Sequence, residues 1–127
     1  MKKHILFVGL FLFLVSCKQE LNKKVVLHGQ LVNIEAGIDS VYLKSGVEFG
    51  DVNLSTKLNE NGDFKFNLEL HNGGYYFLSC GKNYFEVFLS PGDSVNLNAD
   101  LSNIDNSLTF TGIGAANNHM IFELKTN

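Results

Sequence analysis

Few residues in this 127-residue chain stand in patterns that could do chemistry, and the first is a glycine-rich run. Gly112-Ile113-Gly114-Ala115-Ala116-Asn117 follows a strand-like segment and precedes a helix-like one, the place of a dinucleotide-binding loop. That loop takes a third Gly for close helix packing, and Asn117 stands there instead. It also takes a second strand and a ribose-binding acid, and no such segment follows Asn117 in this sequence. The run therefore reads as a small-residue corner that turns a strand into a helix. His4, His28, His71 and His119 have no Cys or His partner at ligand spacing, so they read as exposed or edge residues. Asn59-Glu60-Asn61-Gly62-Asp63 is rich in oxygen, but a calcium loop needs more acids at alternating positions and a late Glu. The stretch reads as a hairpin turn. There is no G-x-S-x-G, and the carboxylates fall in turns or on outward strand positions, where solvation explains them. The residues thus point to no catalytic set, no cofactor and no metal.

Two cysteines remain to be placed. Lys2 and Lys3 give a positive start, and Ile5 to Val15 is an apolar run interrupted only by Gly9. At 1.5 Å per residue the run is short for a bilayer span. Leu14-Val15-Ser16-Cys17 resembles a bacterial lipobox, in which a peptidase cuts before the Cys and the Cys carries lipid. The resemblance implies a signal peptide over residues 1–16, lipidation at Cys17 and a location in the cell envelope, on the periplasmic side or at the cell surface. It implies membrane attachment through acyl chains, each buried CH₂ contributing about 0.8 kcal/mol. Cys80 is then alone, so no intramolecular disulfide and no C-x-x-C redox pair can form. Cys80 shares a strand face with Tyr76 and Leu78 and reads as a buried, inert thiol.

Removal of Lys2 and Lys3 leaves eight Lys against thirteen acids, a net charge of −5, with no Arg anywhere. Bidentate recognition of phosphates and bases leans on Arg, so nucleic acid is excluded as a partner.

These residues need elements to carry them, and the hydrophobic pattern supplies strands. Residues 17–24 read as a polar, lipidated tether, and residues 25–112 as one β domain. Phe64-Lys65-Phe66-Asn67-Leu68-Glu69-Leu70 alternates without a break, the period of a half-buried strand. Similar runs cover residues 25–32, 38–43, 52–58, 75–80, 84–89, 95–99 and 108–110. Asn61-Gly62 predicts a type I′ hairpin between the third and fourth runs. Pro91-Gly92 predicts a type II turn. The whole predicts an all-β fold, an antiparallel sandwich or partly open barrel of about eight strands, with a short C-terminal helix over Ala115 to Leu124. The expected core is Phe64, Phe66, Leu68, Leu70, Tyr76, Leu78, Phe85, Val87, Leu89, Val95 and Leu97. Met120, Ile121 and Leu124 are expected to form the helix's apolar stripe. Tyr75, Tyr76, Tyr84 and Phe85 cluster in sequence and form a candidate binding surface, with core filling as the competing reading.

Several motifs then fall in order. They are Leu27-His28-Gly29-Gln30-Leu31, Val41-Tyr42-Leu43, Asn61-Gly62-Asp63-Phe64-Lys65-Phe66 and Tyr75-Tyr76-Phe77-Leu78. Phe88-Leu89-Ser90-Pro91-Gly92-Asp93-Ser94-Val95 and Phe110-Thr111-Gly112-Ile113-Gly114-Ala115-Ala116-Asn117 complete the series. The order resembles the β-rich N-terminal accessory domain of TlpA/ResA-like thiol-disulfide oxidoreductase lipoproteins, a domain of unknown function. In such proteins a helical linker and a thioredoxin domain with C-x-x-C follow the Asn, and that domain does the redox chemistry. The resemblance implies an accessory, non-catalytic role beside a protein partner or a thioredoxin domain. Residues 113–127 are expected to begin the helical linker, cut short before any thioredoxin domain. A stand-alone envelope module that binds a peptide, glycan or protein is the alternative. Separately, Asp39-Ser40-Val41 and Asp93-Ser94-Val95 match a short pattern resembling a bacterial O-glycosylation signal.

Overall fold

The computed structural model describes residues 22–46 and 52–126, with side chains as far as Glu123. Cys17, the signal segment and all but the end of the tether lie outside the described residues. Among the described residues eight strands form: β1 (Lys24–Val32), β2 (Ser40–Ser45), β3 (Asn53–Lys57), β4 (Asp63–Glu69), β5 (Gly74–Cys80), β6 (Asn83–Leu89), β7 (Ser94–Asp100) and β8 (Thr109–Ile113). A single helical turn, α1 (Ile104–Ser107), precedes β8, and α2 (Ala115–Thr126) follows it.

The strands pair in two four-stranded sheets, ordered β4-β1-β7-β8 and β3-β2-β5-β6. The two stack as a sandwich. Alternation decides which side chains meet in the middle. On β4, Phe64 and Phe66 are buried while Lys65 and Asn67 are exposed. On β5, Tyr76, Leu78 and Cys80 are buried between outward Tyr75 and Phe77. Leu27, Leu43, Leu78, Leu89 and Leu97 are fully buried at the centre, each contributing about 1.5–3 kcal/mol. β1 breaks its inward row at Gly29, and Phe64 of the neighbouring strand fills the gap. The expected core is buried as read, except that Leu68, near the end of edge strand β4, is only partly covered.

Three details depart from the sequence reading. β1 pairs with β7 in parallel, from Val26 opposite Ser94 to Val32 opposite Asp100, whereas every other pairing among the described residues is antiparallel. Alternation reads identically in both directions, so it carries no information on strand polarity. The Asn61-Gly62 turn is not a type I′ hairpin. β3 and β4 belong to different sheets, and the turn carries the chain across the sandwich. Gly62 takes φ 78°, but Asn61 stays outside the left-handed region. The cause is Asn59, whose Oδ1 accepts the N–H groups of Asn61 at 2.9 Å and Asp63 at 2.8 Å. That side-chain turn closes the corner without a second left-handed residue. The third detail is α1, a turn tied to the sheet by Ser107 Oγ, which accepts the Asp100 N–H at 2.8 Å. The type II turn at Ser90–Asp93 forms as expected, with Gly92 at φ 87° and the Asp93 N–H donated to the Ser90 carbonyl at 3.0 Å.

Candidate functional site

Two places on the sandwich gather the residues singled out above: the exit from β8 into α2, and the outward face of the β3-β2-β5-β6 sheet.

At the exit, β8 runs antiparallel to β7 until Ile113 stands opposite Ser94. A Cβ on Gly112 would overlap the Ser94 carbonyl, and one on Gly114 would overlap the Asp93 carboxylate. The two glycines therefore let the chain turn tightly over the start of β7. Asp93 is buried, and its Oδ2 accepts the Ser90 N–H at 2.8 Å. Its carbonyl takes the Val26 N–H at 3.0 Å, which ties the turn to β1. This is the corner expected of Gly112–Asn117. A carboxylate stands where a dinucleotide loop would cradle phosphate, and it would repel one.

The helix is pinned one turn further on. Asn118 is 3 % exposed, and its Oδ1 accepts the Phe88 N–H at 2.7 Å. Its Nδ2 donates to the Phe88 carbonyl at 2.9 Å and to the Gly114 carbonyl at 3.2 Å. One amide thus pairs with the outer edge of β6 as a neighbouring strand would. His119 adds a bond from Nε2 to the Phe110 carbonyl at 2.7 Å, with its ring edge-on to Phe110 at 5.7 Å. Asn118 lies just past the motif as read from sequence, and Asn117 is exposed. The signal that could have found it is spacing. Asn118 sits four residues after Gly114 and shares a helix face with Ala115 and Phe122, both packed against the core. The stripe expected at Met120, Ile121 and Leu124 is corrected by this phase. Met120 is 57 % exposed, Ile121 is half-buried, and the Leu124 side chain is outside the described residues. The bonds between Asn118 and β6 set the rotation of the helix.

Cys80 lies on the inner face with Tyr76 and Leu78. Burial, then the nearby Glu35 carboxylate, push its thiol above the usual range. Burial also pushes the Tyr76 phenol up. A raised thiol holds less thiolate at neutral pH, the opposite of a redox nucleophile. The histidines are scattered. His28 Nδ1 bonds Asn96 Oδ1 at 3.2 Å on an outward face, His71 is exposed in a turn, and His119 is on α2. Asn59 Oδ1 and Asp63 Oδ2 are engaged in the corner itself, where Asn59 Nδ2 donates to Asp63 Oδ2 at 3.2 Å.

The four aromatics of the candidate surface do not share a face. Tyr76 and Phe85 are buried, while Tyr75 and Tyr84 point outward. Adjacent strand residues must take opposite faces, so a cluster in sequence is divided in space. The structure instead groups Tyr75 and Tyr84 with Tyr42 and Phe77, each exposed, and with half-buried Phe88. Tyr75 and Phe88 meet edge to face at 5.1 Å. Tyr42 and Phe77 were legible by alternation, being out of phase with buried Val41, Leu43, Tyr76 and Leu78. The outward face of the other sheet is polar, with Lys65, His28, Asn96 and Thr111 side by side in one register row. No protein-family model matches the chain, and no curated relative matches it either.

Proposed function

We propose that this protein is a lipid-anchored, non-catalytic accessory domain of the cell envelope, which holds a partner in place. Its counterpart is the N-terminal domain of TlpA/ResA-like thiol-disulfide oxidoreductase lipoproteins. One observation carries the reading. The Pro91-Gly92-Asp93 turn and the Gly112–Asn117 exit are the best marks of that resemblance, and they form one joint, with Asp93 against Gly114. Asn118 then clamps the outgoing helix to β6. A joint of this build aims α2 in a fixed direction, which suits a domain whose task is to position something else. The buried, raised thiol of Cys80 fits the non-catalytic part.

The test is insulin reduction by the full chain with dithiothreitol as reductant. The expected rate equals that of dithiothreitol alone. Turnover that depends on the protein and disappears in Cys80→Ser would overturn the non-catalytic assignment. Metabolic labelling with an alkyne palmitate analogue checks the anchor: label is expected on the chain and lost in Cys17→Ser.

A second reading, a stand-alone binding module, is favoured by the exposed aromatics gathered on one sheet face. Glycan and peptide arrays probed with the purified chain test it.

A further inference from the structure

We draw no further inference here: the strongest candidate, the outward face of the β3-β2-β5-β6 sheet with its exposed Tyr42, Tyr75, Phe77 and Tyr84, carries nothing because nothing in the structure shows what covers it.

Discussion

Asn118 shows how much one side chain can decide. Its amide satisfies both polar groups of Phe88 on the outer edge of β6 and reaches back to Gly114. Asn118→Ala leaves those groups without their partner beneath a helix, a cost of about 1–3 kcal/mol. The urea midpoint should fall accordingly with an unchanged slope. Asn118→Asp should be as harmful above the carboxylate's pKa, because an acceptor-only group cannot donate to the Phe88 carbonyl. Asp100 makes a different prediction. The Ser102 hydroxyl, the Asn33 amide and the Ser102 N–H all donate to its carboxylate and hold its pKa below the usual range. A depressed folded-state pKa stabilises the protein above the unfolded aspartate pKa, and that contribution fades as pH falls through the folded value. Asp100→Asn should therefore lower the melting temperature at neutral pH. The gap from the parent should close on acidification below the usual aspartate range. A gap of constant size across that range would contradict the assignment.

At the scale of elements, the close fit of β1 against β4 governs one sheet. Gly29 faces inward on β1 with no side chain, and the Phe64 ring occupies that space. Phe64 also meets Phe66 edge to face at 5.9 Å. Phe64→Ala should cost about 3–5 kcal/mol, because the void lies between two paired strands that cannot collapse onto it. Thermal unfolding by far-UV circular dichroism measures that loss. Lys65→Ala, one residue on and outward, should lie within about 0.5 kcal/mol of the parent. The corner between β3 and β4 is a second sensitive element. Gly62 combines φ 78° with a carbonyl that accepts the Leu31 N–H at 2.9 Å. A Cβ there would also overlap the Leu31 carbonyl, so no other residue fits without moving β1.

For the molecule as a whole, Cys80 is a reporter of the sandwich's integrity. It lies between the sheets at the end of β5, 2 % exposed, with its thiol pushed up by burial. In a Cys17→Ser background, its labelling by Ellman's reagent at neutral pH should be slow in buffer. It should then rise with urea along the same transition as circular dichroism. Fast, complete labelling of the folded chain would show that this end of the core is open. Cys80 also illustrates what was legible. Its place on a buried face followed from alternation with Tyr76 and Leu78, and the structure puts it there. The same rule, applied to neighbouring Tyr75 and Tyr76, splits the cluster that looked like one surface.

What the sequence determined by itself was local. Strand positions, the inward residues, the turn at Pro91-Gly92 and the corner at Gly112–Gly114 all depend on neighbours within a few residues. Period-2 alternation and backbone preference are properties of such short windows. The tertiary structure alone decided pairing, polarity and faces. Val26 finds Ser94, and Asn118 finds Phe88, across long stretches of chain. Alternation separates two faces of a strand but does not say which other strand shares them. The parallel β1–β7 pair, the crossing of β3 to β4, and the gathering of Tyr42, Phe77 and Tyr84 all follow from how two sheets bury their apolar sides together.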